Sequence, residues 1–139
     1  MRRAAIAALL LLGGLNVARA QEDQIDCNNA QTQADMTNCA GQDFENADKE
    51  LNVVYKKAMA SQVALDKQSA EISPDYVGAV KALKKAQRAW IDYRDGQCEG
   101  MSYQAAGGTM QPMLELGCKA DLTNKRIKEL KELIQGAGN

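Results

Sequence analysis

Two segments of the chain place chemically capable side chains at helical spacing. Asp48, Leu51, Asn52 and Tyr55 fall at i, i+3, i+4 and i+7, so they share one face of a helix. Gln87, Trp90, Ile91, Arg94 and Cys98 share a face in the same way farther along. A carboxylate, amides, a phenol, an indole and a guanidinium can form a buried polar network or do acid–base chemistry. The loop between the two segments centres near residue 71, so an antiparallel hairpin pairs positions whose numbers sum to about 142. Asp48 then lies level with Arg94, Asn52 with Trp90, and Tyr55 with Gln87. This register predicts a charge-assisted Asp48–Arg94 pair inside the bundle and partners for the remaining polar groups. A catalytic reading would instead set Asp48 with Asp92 or Asp95 as paired carboxylates. Those two stand one or two residues from the Trp90 and Arg94 positions and cannot both share that face. The stripe therefore reads as a structural network, with Trp90 in the core, and no residue is given a catalytic role.

Other chemistries fall away on residue type. The chain has no His, which removes Ser–His and Cys–His nucleophile pairs and His-ligated metals. Neither GxGxxG nor GxxxxGK[ST] occurs, so the usual nucleotide-binding loops are missing. The spacings around Cys27, Cys39, Cys98 and Cys118 are C-x11-C and C-x19-C. Zinc thiolates usually come in closer pairs, about two to four residues apart. No metal and no cofactor is expected, and two disulfides are. Cys98 and Cys118 are symmetric about residue 108, in the Gly107-Gly108 turn, so they face each other across a second hairpin. Cys27 lies just before the first helix and can fold back to Cys39 on its second turn. The alternative, Cys27–Cys118 with Cys39–Cys98, requires the helices to be offset.

Arg2 and Arg3, an apolar run from Ala4 to Leu15, and Ala18-Arg19-Ala20 read together as a secretory signal peptide over residues 1–20. The expectation is a single domain over residues 21–139, periplasmic or secreted, with neither a membrane span nor a lipid-attachment Cys. Removing Arg2, Arg3 and Arg19 takes the 17 Lys+Arg to 14 against 18 Asp+Glu, a net of −4. Residues 21–50 hold eight acids and one base, Lys49, whereas residues 51–139 hold ten acids and thirteen bases. An acidic N-terminal quarter suits a basic partner or the positive end of a helix dipole.

The elements that must position these residues are helical. Only six of the 139 residues are aromatic and few are β-branched, which argues against an all-β fold. Thr32 and Asp35 resemble a capping box, and Met36, Ala40, Ala47, Leu51, Val54 and Ala58 follow a helical period, so the first helix is expected from about Thr32 to Lys67. Asp66 to Ser73 is mostly polar. Ser73-Pro74 supplies an N-cap and a first-turn Pro for the second helix, whose apolar seam is Val80, Leu83, Trp90 and Ile91. Lys81, Lys84, Lys85 and Arg88 line its other side as a solvated face, and no nucleic acid is expected. The third helix begins near Pro112 and carries Leu116, Ala120, Ile127, Leu130 and Ile134, with Gly136 as its stop. The fold class is all-α: a three-helix antiparallel domain with two disulfides.

The segments Cys27, Cys39-Ala40 and Ala47-Asp48-Lys49-Glu50-Leu51-Asn52-Val53-Val54-Tyr55 open a recognisable pattern. Ala86-Gln87-Arg88-Ala89-Trp90-Ile91-Asp92-Tyr93-Arg94-Asp95 and Cys98 continue it. Gly107-Gly108-Thr109, Pro112-Met113, Cys118, Thr123 and Arg126 complete it. Together they resemble the LprI-type lysozyme-inhibitor family, across nearly all of residues 21–139. The resemblance implies a small exported bacterial protein that binds rather than catalyses. The family's namesake is a lipid-anchored inhibitor of lysozyme, and this chain departs from it in having no lipid-attachment Cys after the A-x-A site.

The expected function is therefore an exported binding protein that inhibits a lysozyme-type muramidase. The alternative is an envelope interaction or structural protein without lysozyme activity. Host lysozymes are basic, so Asp43, Glu45 and Glu50 are candidate partner-binding residues. Gly107, Gly108 and Thr109 lie in a small loop that is the candidate plug for a cleft lined by two carboxylates.

Overall fold

The computed structural model describes residues 25–136. Three helices, α1 (Gln33–Ile72), α2 (Ala79–Ser102) and α3 (Gln111–Gly136), are joined by one-turn 3-10 segments at Pro74–Tyr76 and Tyr103–Ala105. The all-α, three-helix reading holds, with no strand among the described residues. Residues 1–20, the expected signal peptide, lie outside them.

Thr32 starts α1 as the sequence suggests. Its Oγ1 accepts the Asp35 backbone N–H at 3.1 Å and donates to the Asp35 carboxylate at 2.7 Å. The buried positions of α1 are Cys39 and, repeating every three or four residues, Ala47, Leu51, Val54, Ala58 and Gln62. Leu51, Val54 and Ala58 form the core with Leu83, Ile127 and Leu130, and Tyr55, Met59, Trp90 and Ile134 pack around them. α3 packs most extensively on α1 and less on α2, while α1 and α2 share the thinnest interface. The third helix thus contributes more to the core than a two-helix hairpin picture allots it. Ile91, expected in the α2 seam, is exposed.

Two element boundaries differ from the sequence reading. α1 does not stop near Lys67 but runs to Ile72, and none of residues 67–72 is buried. Apolar periodicity reports which part of a helix is packed. Here Lys67, Gln68, Ala70 and Glu71 are strong helix formers and carry the helix past its partners. Ser73-Pro74 is a genuine cap, but of the 3-10 turn: Ser73 Oγ accepts the Asp75 N–H at 3.3 Å. α2 begins later and is capped from α1. The Asp66 carboxylate accepts the N–H groups of Gly78, Ala79 and Val80 at 2.8, 2.7 and 3.1 Å. Those bonds, the one from Gly78 foremost, hold the Asp66 carboxyl below its ordinary value.

The disulfides are Cys27–Cys39 and Cys98–Cys118, with Cα atoms 5.5 and 5.4 Å apart. The first ties the irregular segment to α1, and the second closes the α2–α3 hairpin. At its turn Gly107 has φ +73°, a conformation that L side chains rarely adopt. Its N–H donates to Gln111 Oε1 at 3.1 Å, and Gln111 Nε2 donates to Ser102 Oγ at 3.4 Å.

Candidate functional site

Arg94 sits where all three helices meet. Its side chain is only 9% exposed and lies between the rings of Phe44 and Trp90, 5.0 and 5.2 Å from their centroids. Nη1 reaches Asp48 on α1 at 3.4 Å and Thr123 on α3 at 3.5 Å, and Nε donates to Asp95 at 2.9 Å. Asp48 and Asp95 therefore share one guanidinium. Asp48 is 43% exposed, so the carboxylate side of the node opens to water.

The expected register brings Asp48 to Arg94 but does not bring the other pairs together as hydrogen-bonded partners. Asn52 is exposed, and its amide donates to the Asp48 carbonyl and carboxylate at 2.9 and 3.2 Å. Tyr55 packs against the apolar core. Gln87 is buried and accepts instead from Arg126 Nε at 3.1 Å. Arg126 also pairs with Glu129 at 2.7 Å and lies 6.0 Å from the Trp90 ring, so two guanidiniums flank the indole. Thr123 and Arg126 were not placed in the polar network from the sequence. The signal was present: Thr123 falls between Ala120 and Ile127 on the buried stripe of α3, as Gln87 and Arg94 interrupt that of α2. Gln62 is the remaining buried polar side chain of α1, and its Nε2 has no partner among the described residues.

The partner-binding candidates divide. Residues 43 and 50 stand two turns apart on one side of α1, whereas residue 45 is rotated by about 160° from residue 43. Glu50 is engaged by Lys131 at 2.7 Å and Glu45 by Lys49 at 3.7 Å. Asp43 makes no ion pair among the described residues and lines a cleft of about 550 Å3 with Asp121, which the sequence reading did not pick out. The start of α1, the end of α2 and the start of α3 form this cleft, which Met36, Met101, Met113 and both disulfides border. The loop carrying Gly107, Gly108 and Thr109 joins α2 to α3 at the same end, and all three residues are exposed. Tyr103 and Met110 stand exposed on either side of it. The result is an uncharged, hydrogen-bonded knob at the end of the bundle, above a cleft lined by two carboxylates that make no ion pair among the described residues. No cluster of three or more metal-ligating His, Cys, Asp or Glu side chains occurs among the described residues.

The profile described as "Lysozyme inhibitor LprI" matches residues 26–130, from the irregular segment through most of α3. The chain belongs to the LprI lysozyme inhibitor family. The match takes in all four cysteines, the Arg94 node and the knob. An uncharacterized protein of Rhizobium meliloti (strain 1021) is 52% identical over 139 residues, 100% of both chains. YecT, an uncharacterized protein of Escherichia coli (strain K12), is 31% identical over 97 residues, which are 67% of this chain and 59% of that protein. No solved structure matches the chain.

Proposed function

We propose that this LprI-family protein is an exported inhibitor of a lysozyme-type muramidase. Membership in a lysozyme-inhibitor family across residues 26–130 is the observation that carries the reading. The knob suits it physically. Residues 103–110 contain no charged side chain, so they can enter a cleft lined by two carboxylates without like-charge repulsion. Asp43 and Asp121, in the cleft toward the same end of the bundle, complement a basic enzyme and speed the encounter. Two disulfides support an oxidising compartment, the periplasm or the medium. No described helix is long and apolar enough to cross a membrane.

The test is a cell-wall lysis assay with basic lysozymes and the disulfide-closed protein at low and high salt. The expected result is inhibition that weakens with salt. Asp43→Lys with Asp121→Lys should abolish it, and Glu45→Lys should spare it. Failure to inhibit any basic lysozyme refutes the reading and leaves an envelope interaction protein in its place. Inhibition independent of salt refutes the electrostatic part alone.

A further inference from the structure

The end of the bundle away from the knob carries the opposite charge. Lys81, Lys84, Lys85 and Arg88 fall at i, i+3, i+4 and i+7 of α2, a stripe about 10 Å long. All four line one open groove of about 800 Å3, together with Val77, Val80 and Ala89. The ion-paired cations among the described residues are Lys49, Arg94, Lys119, Arg126 and Lys131, so none of the four is neutralised by a neighbour. Two acids also line the groove. Asp66 spends both oxygens on the backbone of residues 78–80, and Asp92 lies at the far end, one turn beyond Arg88.

Beside this stripe the chain exposes large apolar side chains. α1 overshoots Asp66, its point of contact with the start of α2, by six residues, so the turn after it projects from the bundle. Ile72 is 78% exposed, Tyr76 66%, and Val77, which belongs to both the turn and the groove, is exposed as well. Scattered exposed hydrophobics need no explanation, but three within six residues, adjoining four unpaired cations, form a distinct surface.

We propose that the α1–α2 turn and the outward face of α2 dock on the surface of an anionic lipid bilayer. The cations suit lipid phosphates, with their methylene stems along the interface. Ile72 and Val77 would enter the headgroup–acyl boundary, and Tyr76 would sit at headgroup level. A soluble polyanion would use the cations but leave the apolar turn in water, so the bilayer accounts for more of the surface. Glu71 and Asp75 are the turn's own acids and limit how deep it can enter. In this pose the end bearing Asp43, Asp121 and the knob points away from the lipid.

Co-sedimentation of the disulfide-closed protein with phosphatidylcholine vesicles, with and without phosphatidylglycerol, tests this without any lysozyme. Binding is expected only to the anionic vesicles, and it should weaken with salt. Each basic side chain near such a surface contributes about fivefold to partitioning, the equivalent of ~1 kcal/mol. Lys81→Gln, Lys84→Gln and Lys85→Gln together should lower it about 100-fold. Ile72→Ser with Tyr76→Ser should lower it about tenfold through lost apolar burial. Both variants change exposed residues, so their thermal melts should match the parent. The proposal is overturned if neutral vesicles bind equally well or if the triple variant binds like the parent. It is also overturned if polyphosphate binds the protein as tightly as the vesicles do and the Ile72/Tyr76 variant loses no vesicle affinity, which would assign the groove to a soluble polyanion.

Discussion

Truncating Arg94 separates what its charge contributes from what its packing contributes. Arg94→Ala strips two buried methylenes worth about 0.8 kcal/mol each. It also removes contacts with the Phe44 and Trp90 rings, about 0.5–1 kcal/mol apiece, and leaves the Thr123 hydroxyl without its donor, about 1 kcal/mol. The ion pairs add less. Asp48 is 43% exposed and rehydrates when the guanidinium leaves, so its pair contributes below about 1 kcal/mol. Arg94→Ala should therefore cost about 4–5 kcal/mol, a large share of a small domain's stability. Arg94→Met keeps the apolar stem but loses the cation over the two rings and the donor to Thr123, and should cost about 2–3 kcal/mol. Asp48→Asn should cost less than about 1 kcal/mol, because Asp95 still holds the guanidinium at 2.9 Å. Urea titrations followed by far-UV circular dichroism, with both disulfides closed, measure all three. Equal losses for Arg94→Met and Arg94→Ala would refute the packing argument. So would a loss from Asp48→Asn as large as the ~3–5 kcal/mol expected when a fully buried pair is broken.

Gln62→Met should raise stability by about 1 kcal/mol, read from the urea midpoint, because it replaces a buried amide whose nitrogen has no partner among the described residues. Asp66→Asn should lower the melting temperature by weakening the cap on α2. The depressed carboxyl also gives a pH signature: its contribution is present above the ordinary value of 3.8 and is lost as pH falls through the lower folded-state value. Melting temperature against pH should thus fall less steeply at the acid end in Asp66→Asn than in the parent. Opening the bridge with Cys98→Ser and Cys118→Ser frees a loop spanning a separation of 20 residues and should cost about 3 kcal/mol in the same titration.

Most of the fold was legible because local signals agreed with global ones. The Thr32 cap, the heptad-like apolar spacing of α1 and the symmetry of Cys98 and Cys118 about a glycine turn each depend on residues close in sequence. The misread features depend on residues far apart. Nothing near Gly78 marks the start of α2, because the capping carboxylate comes from Asp66, twelve residues upstream on another helix. The partner of Gln87 was missed for a related reason. A two-helix register offers it only α1, whereas α3 supplies Arg126 at 3.1 Å. A polar residue on a buried stripe announces that it needs a partner, but not which helix provides one.

Charge is the least legible property, and it decides where a partner can dock. The acidic count of residues 21–50 suggests a uniformly attractive segment, but folding redistributes it. Glu50 is engaged by Lys131, 81 positions away, and Glu45 lies across the helix beside Lys49. Asp43 makes no ion pair among the described residues and gains Asp121 as a neighbour in the same cleft, a pairing of α1 with α3 that sequence proximity does not encode. The unpaired lysines of α2 gather at the other end. The molecule is therefore charged end against end, where its sequence looks charged quarter against remainder. A lysozyme drawn by long-range attraction should meet the carboxylates and the uncharged knob together, since one end of the bundle presents both. This is why substitution at Asp43 and Asp121, rather than at the equally acidic Glu45, discriminates between a docking surface and a merely solvated helix.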